Sequence, residues 1–129
     1  MAKKTNFTLT AHIKGNPPRL PFVRIKNKVL GEKYHLSLVF ATKVVMKKFN
    51  KKYRHKDYLP NVLAFPLSKN EGEVFISLDE AKKQAPDFDM SFKKFTVFLF
   101  IHALLHLKGR AHSSRMESEE RRILKFFHS

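Results

Sequence analysis

The sequence predicts a single compact domain of the α+β or α/β class, in which a mixed sheet of about four strands is packed by helices. Its length of 129 residues suits one domain. Hydrophobic residues make up 43% of the chain and include 13 Phe, enough for a substantial core. Short segments with strand-like patterns are interspersed with helical patterns along the whole chain, which favours a mixed sheet over a helical bundle.

The first half of the chain predicts a strand, a helix, a second strand and a second helix. Alternation of apolar residues indicates the first strand, and helical spacing from Phe22 indicates the first helix. Gly31 is placed to end that helix, and Thr42 is placed to cap the next one. The predicted elements are 5–13, 22–30, 34–40 and 42–52.

The second half predicts two further strands and three helices. The strands cover 62–65 and 73–78, and the loops before and between them contain Pro, Asn and Gly. Ser77 with Glu80 forms the pattern of a capping box that opens a short helix. The longest helix begins at Ser91, runs to residue 108, is apolar nearly all round and is expected at the centre of the fold. Another capping box, Ser114 with Glu117, opens the last helix.

The composition limits the chemistry and the location of the protein. The chain has no Cys, which excludes disulfides, Cys-ligated zinc and thiol nucleophiles, so any metal must bind to His or carboxylate. The first residues lack the apolar run of a signal peptide. The most apolar stretch, 95–107, is shorter than the roughly 20 residues that a bilayer requires. These features predict a cytoplasmic protein that is not a membrane protein. A monomer is also expected.

The charge is concentrated in one half of the chain. Residues 1–60 contain 15 Lys and Arg against two acidic residues, a net +13, whereas residues 61–129 have a net +2. A strongly basic region of this kind is typical of proteins that bind polyanions. RNA or DNA is the favoured partner, and anionic lipid is the alternative.

The segment HALLHLKGRAH, residues 102–112, contains three histidines with the spacing of metal ligands. His102 and His106 lie four apart on the predicted central helix, so their rings share one face. Gly109 can end the helix and let the chain return, which places His112 as a third ligand. Three neutral histidines leave one position of a tetrahedral zinc ion open for water, as in catalytic rather than structural sites.

The same histidines could also belong to the core or to a protease. A buried histidine is often only a hydrogen-bonded core residue, but two imidazoles in so apolar a helix would cost free energy unless they were bound. The spacing also matches the metzincin proteases, whose pattern is H-E-x-x-H-x-x-G-x-x-H. Residue 103 is Ala here, so the glutamate that serves such proteases as a general base is absent. Peptidase activity is therefore not expected.

The chain resembles the YbeY family of bacterial rRNA maturation factors, which are metal-dependent endoribonucleases. The family's pattern H-G-x-L-H-L-x-G-Y-D-H matches six residues here: His102, Leu105, His106, Leu107, Gly109 and His112. A second pattern, N-x-x-Y-R followed by T-D-V-L-S-F-P, matches Asn50, Tyr53, Arg54, Val62, Leu63, Phe65 and Pro66. The strand GEVFIS and the pair Gln84-Ala85 also fit, so the resemblance covers roughly residues 34–125.

The resemblance implies a catalytic role for Arg54 and a metal site at the three histidines, with Zn²⁺ or another divalent transition metal bound. It also implies a single-strand-specific endoribonuclease that acts in maturation of the 3′ end of small-subunit rRNA and in ribosome quality control. Its partners would be single-stranded RNA, rRNA and the small ribosomal subunit. The chain departs from the family pattern at Pro60, Asn61, Ala64, Ala103, Arg110 and Ala111, which remove two aspartates and a serine. These replacements leave open whether the activity is retained.

A row of basic residues is predicted to bind RNA. Lys43, Lys47 and Lys51 repeat every four residues on the helix 42–52, and Arg54 continues the row. This row lies opposite the apolar face and would follow an RNA backbone, although such rows are often only the solvated side of a helix. Arg110, beside the metal, would favour an anionic substrate or would cap the helix.

Two other functions fit the sequence. The protein would then be a non-catalytic RNA-binding ribosome assembly factor with a structural metal site, or a metal hydrolase of a small phosphorylated substrate.

Overall fold

The computed structural model describes residues 6–109 and 114–127 and contains, within them, four strands, five α-helices and one 3-10 turn. In chain order the elements are β1 (Phe7–Ala11), α1 (Phe22–Leu30), β2 (His35–Phe40), α2 (Lys43–Arg54), β3 (Val62–Ser68), β4 (Glu71–Ile76), α3 (Leu78–Gln84), the 3-10 turn (Ala85–Phe88), α4 (Phe92–Leu107) and α5 (Ser114–Phe127). The predicted α+β class and the mixed four-stranded sheet are confirmed.

The strands form one sheet in the order β1-β2-β4-β3. β1, β2 and β4 are parallel, and β3 runs antiparallel to β4 at one edge. The three parallel strands therefore have their carboxyl ends, at Ala11, Phe40 and Ile76, at the same end of the sheet. Val62, at the start of the antiparallel strand β3, lies at this end too. Loops at this end connect the sheet to the helices that carry the candidate site.

The helices cover both faces of the sheet. On one face, Leu38 and Phe40 of β2 pack in the main core with residues of α1, α4 and α5. On the other face, Val39 packs with Met46 of α2. Period-2 alternation along β2 thus separates two cores, because successive side chains point to opposite faces.

Three of the predicted helix starts are capped as expected. The hydroxyl oxygens of Thr42, Ser77 and Ser91 accept hydrogen bonds from backbone N–H groups three residues later, at 3.3, 3.2 and 3.1 Å. The reciprocal half of the predicted Ser77–Glu80 capping box is not formed. The Ser77 N–H donates instead to the carbonyl of Asn61, and the buried Glu80 carboxylate accepts a hydrogen bond from Gln84. The Ser77 backbone therefore connects the start of α3 to the loop before β3, in addition to the cap that its side chain forms.

The strand boundaries differ from those predicted because pairing between strands, rather than local pattern, sets them. β1 ends at Ala11 rather than at residue 13, since it is paired only with β2 and the chain turns at Gly15, where φ is 81°. β3 and β4 extend to Ser68 and back to Glu71, because antiparallel pairing continues into their hairpin through an irregularity between Pro66 and Ser68.

The central helix α4 is buried as predicted, with nine of its side chains in the core. No single helix in the described part of the chain is long and apolar enough to cross a membrane. Within that part, Leu78–Phe88 and Phe92–Leu107 reach such a length and apolar character only when taken together, and the two segments are bent by 104° at the break between them.

Gly72 in β4 is required by the close approach of Tyr34. A Cβ at position 72 would collide with the Tyr34 hydroxyl and would lie 3.1 Å from the methyl groups of Leu107. The hydroxyl is buried and has no hydrogen-bond partner among the described residues. Burial, reinforced by the Glu71 carboxylate, raises the pKa of Tyr34, so the hydroxyl stays neutral.

We expect Gly72→Ala to lower the free energy of unfolding by about 1–3 kcal/mol, because the added methyl group overpacks a rigid core. Tyr34→Phe alone should change stability little, since it removes a hydroxyl that makes no hydrogen bond there. In a Tyr34→Phe background, Gly72→Ala should lower the free energy of unfolding by less, because the hydroxyl that the added methyl group would meet is gone. Urea denaturation of the four proteins measures these differences. An equal loss in both backgrounds would contradict the role assigned to the hydroxyl.

Candidate active site

A cleft of about 660 Å³, here called the histidine cleft, lies between α4, β3 and the end of α2. Two of the three predicted metal ligands and the predicted catalytic arginine line it. The lining residues are Arg54, Tyr58, Leu59, Pro60, Asn61, Val62, Ala64, Pro66, Gln84, His102, Ala103 and His106. The tertiary fold therefore brings together residues from α2, the loop before β3, β3 itself, α3 and α4.

His102 and His106 present their imidazoles to the same point. Both lie on α4 one turn apart, their ring centroids are 4.6 Å apart, and their Nε2 atoms are 3.0 Å apart. Two imidazole nitrogens bound to one tetrahedral zinc ion lie about 3.3 Å apart, as bond lengths of 2.0–2.1 Å require. The two nitrogens are therefore placed as ligands of one ion would be.

Glu120 of α5 fixes the orientation of His102. Its carboxylate is buried, with 5% of the residue exposed, and its Oε1 contacts Nδ1 of His102. A carboxylate in this position accepts the Nδ1–H, so the lone pair of the neutral ring lies on Nε2. Metal-binding histidines are commonly held in this way. Glu120 was not among the predicted site residues, although a Glu among the apolar positions 116, 123 and 124 of an amphipathic helix was a usable signal.

The third predicted ligand, His112, and the predicted anion-binding residue Arg110 lie outside the described residues. Within residues 6–109 and 114–127 there is no group of three or more His, Cys, Asp or Glu that could hold a metal ion. The pair that is described fits such an ion in three respects: convergent Nε2 atoms, a buried carboxylate on Nδ1, and a cleft open to ligands.

Arg54 lies at the last position of α2, is exposed and lines the histidine cleft. Asn50, which is fully buried, determines how the chain continues from there. Its carbonyl accepts the N–H groups of His55 and Lys56, and its side-chain Nδ2 donates to the carbonyl of Tyr58 at 3.0 Å. The left-handed conformation of His55, with φ of 56°, ends the helix. Asn50 thus holds the loop that places Arg54 and Tyr58 beside the histidines.

Asn61 takes part in a chain of hydrogen bonds at the wall of the cleft. Its Nδ2 donates to Oε1 of Gln84 at 2.8 Å, and Nε2 of Gln84 donates to the buried Glu80 carboxylate at 2.9 Å. An amide is neutral at every physiological pH, so Asn61 cannot serve as a general base. Its described role is to bind α3 to the start of β3.

The predicted lysine row is exposed along its whole length on α2. Lys47 and Lys51 line neither the histidine cleft nor the larger cleft at the other end of the helix. Lys43 lines that larger cleft, whereas Arg54 lines the histidine cleft. The row of basic residues therefore extends from the larger cleft to the histidine cleft.

Fold and cleft together define a class: small α+β proteins with a mixed four-stranded sheet and a cleft containing paired histidines. Comparison with known proteins gives the family. The sequence model described as "Endoribonuclease YbeY" matches residues 20–128. The chain belongs to the YbeY family.

Curated relatives support this assignment. Proteins named "Endoribonuclease YbeY" are 38% identical over 96 residues in Phytoplasma mali, 36% over 100 residues in Alkaliphilus metalliredigens and 31% over 110 residues in Mesoplasma florum. The matches cover 72%, 69% and 77% of this chain, and 65%, 64% and 62% of those relatives. The chain thus spans somewhat less than two thirds of their length.

A solved structure shows the same fold. The solution structure of TM1509 from Thermotoga maritima superposes with a TM-score of 0.64 over 92% of this chain and 87% of that protein, at 22% sequence identity.

Proposed function

We propose that this protein is a metal-dependent endoribonuclease that cleaves single-stranded RNA in the histidine cleft. The convergence of the His102 and His106 Nε2 atoms, 3.0 Å apart in a cleft that also contains Arg54, carries the proposal. Membership of a family whose curated members are named endoribonucleases supports the reaction class. The net charge of +15 supports a polyanionic substrate.

His102, His106 and His112 would hold the ion, which we propose to be Zn²⁺. A divalent cation in such a site supplies Lewis acidity toward a phosphodiester and a nucleophile at neutral pH. The residues around the proposed ion hold its ligands in position. Glu120 keeps the proton of His102 on Nδ1, so that the Nε2 lone pair faces the cleft. Val62, Ala64 and Ala103 provide apolar parts of the cleft wall.

Arg54 would bind the phosphoryl oxygens. Its guanidinium is always charged and presents paired donors that match two phosphate oxygens. Negative charge on those oxygens increases in the transition state, so a positioned guanidinium stabilises that state more than the bound substrate. Tyr58 lines the same cleft with 52% of its surface exposed, which leaves a ring face available for stacking on a base.

The biological role that we propose is maturation of the 3′ end of small-subunit rRNA, together with ribosome quality control. The resemblance of the histidine and arginine motifs to those of the rRNA maturation factors supports this role. The small ribosomal subunit would then be the partner that presents the RNA.

Asn61 favours a second candidate function. A neutral amide, already bonded to Gln84, stands where the family pattern has an aspartate. The protein would then be a non-catalytic RNA-binding assembly factor that uses a metal only for structure. RNA binding that survives chelation of the metal, with no cleavage at any protein concentration, would support this function over the first.

Glu120 provides a test that separates the metal site from general stability. We expect Glu120→Ala to lower metal affinity and RNA cleavage by about 10- to 100-fold, because His102 loses the carboxylate that fixes its tautomer. Glu120→Gln, which still accepts the Nδ1–H, should recover part of the loss. Metal affinity by calorimetry and cleavage of a labelled single-stranded RNA are the measurements.

Glu119→Ala is the matched control, since it removes the same charge from the neighbouring residue of α5, which lies outside the surface lined by His102 and Glu120. It should leave metal affinity and cleavage unchanged. If Glu120→Ala retained full metal affinity, the proposed metal site at His102 would be wrong.

A further inference from the structure

The larger cleft, of about 1050 Å³, lies at the carboxyl ends of β1 and β2. The connection from β1 leads to α1 on one face of the sheet, whereas the connection from β2 leads to α2 on the other face. Adjacent parallel strands whose connections leave toward opposite faces create a crevice, the usual ligand-binding position in open α/β sheets. We call it the switch-point cleft. It shares no lining residue with the histidine cleft.

The switch-point cleft is strongly basic. Five basic side chains line it against one acidic residue, Asp79; they are His12, Lys14, Lys43, Lys82 and Lys93. All four lysines are exposed, and none forms an ion pair with a carboxylate among the described residues. Like charges gathered in a concave surface repel one another, and a bound polyanion relieves that repulsion.

Two helices add to the positive potential of the switch-point cleft. α2 and α4, of 12 and 16 residues, begin at its wall with Lys43 and Phe92. Neither helix has an acidic residue in its first turn, so the partial positive charge of each N-terminus is not neutralised locally. The helix termini reinforce the lysines rather than forming the site by themselves.

The lysine row on α2 joins the two clefts. Lys43 lines the switch-point cleft, Lys47 and Lys51 are exposed along the helix, and Arg54 lines the histidine cleft. Arg54 lies eleven positions after Lys43 along α2, a rise of about 16 Å. Single-stranded RNA can follow such a path, because basic grooves track its backbone.

We propose that the switch-point cleft binds the phosphodiester backbone of the RNA whose scissile bond lies in the histidine cleft. The strand passes along Lys47 and Lys51 of α2 between the two. The identity of the polyanion rests on the proposed function, whereas the cleft, its charges and the connecting row are features of the structure. The cleft thus contributes affinity for longer RNA without taking part in the chemistry.

A pair of double variants tests the proposal. Lys82→Glu with Lys93→Glu reverses two positive charges that line the switch-point cleft. Lys83→Glu with Lys94→Glu changes the neighbouring residues of the same two helices, which do not line it. The change in net charge is identical. Binding of a fluorescently labelled single-stranded RNA is measured by anisotropy at several salt concentrations, with EDTA present so that nothing is cleaved.

We expect the first variant to bind RNA at least about tenfold more weakly than the second. We also expect the slope of log K against log salt to fall by about 0.7 for each lost phosphate contact. Equal losses in both variants would show an effect of net charge alone and would overturn the proposal, as would no loss in either. Binding of AMP is measured in the same proteins. If the Lys82/Lys93 variant lost AMP binding but kept RNA binding, and the Lys83/Lys94 variant kept both, the cleft would bind a small ligand and the proposal would be overturned.

Because this binding test excludes cleavage, it is independent of the reaction. Failure of the wild-type protein to cleave any RNA would count against the proposed function and would leave the binding comparison intact.

Discussion

We expect the His106→Ala variant to cleave RNA more than about 100-fold more slowly than the wild-type protein. The reason is that His106 supplies one of the two convergent Nε2 atoms, so its loss removes a proposed ligand itself. Loss of a residue that only orients a metal ligand typically costs about 10- to 100-fold. His106 is only half-buried, so the fold should persist. Metal content by mass spectrometry and cleavage of single-stranded RNA at saturating zinc are the measurements.

His35→Ala serves as the control for His106→Ala. His35 is exposed at the start of β2, at the opposite end of the sheet from the carboxyl ends that lead to the clefts. The control should retain both the metal and the activity. Undiminished metal content in His106→Ala would remove the basis of the metal-dependent mechanism.

Arg54→Ala should lower kcat by about 100- to 1000-fold, the usual effect of removing a group that stabilises charge in a transition state. Substrate binding should weaken much less, because the remaining basic residues still attract the RNA. Arg54→Lys should recover only part of the activity, since an ammonium cannot donate in parallel to two phosphate oxygens. Single-turnover cleavage at saturating enzyme isolates the chemical step from binding.

Lys48→Ala is the control for Arg54→Ala. It removes one positive charge from an exposed position on the same helix, outside the histidine cleft. Full activity in this control, with a large loss in Arg54→Ala, would support a specific role for the guanidinium. A small and equal effect of both substitutions would leave Arg54 as one of many attractive charges and would refute its catalytic role.

Much of the local structure could be predicted from the sequence because its causes are local. The Thr42, Ser77 and Ser91 caps act across three residues, and each was found where its pattern indicated. The burial of α4 follows from a helix that is apolar on every side. Hydrophobic spacing within each segment thus predicted the element types, and the four-residue spacing of His102 and His106 predicted that their rings share one face of α4.

Buried polar residues were not predictable in the same way. Lys26 is 1% exposed, and its ammonium donates to Asn27 Oδ1 and to the carbonyl of Glu32, both at 3.1 Å. Burial lowers the pKa of Lys26, which the Glu32 carboxylate partly offsets. Nothing in the helical pattern of α1 distinguishes this lysine from an exposed one, because its partner lies six residues away in a loop.

The sequence by itself determined the order and type of the elements, the pairing of His102 with His106 on one helix face, and the strongly basic character of the first half of the chain. The tertiary structure alone decided the strand order β1-β2-β4-β3, the contact of Glu120 with His102, and the position of Arg54 in the same cleft as His102 and His106. The physical reason is the range of the interactions. Periodicity and caps operate within a few residues, whereas strand pairing and the burial of a carboxylate depend on groups far apart in the chain that only packing brings together.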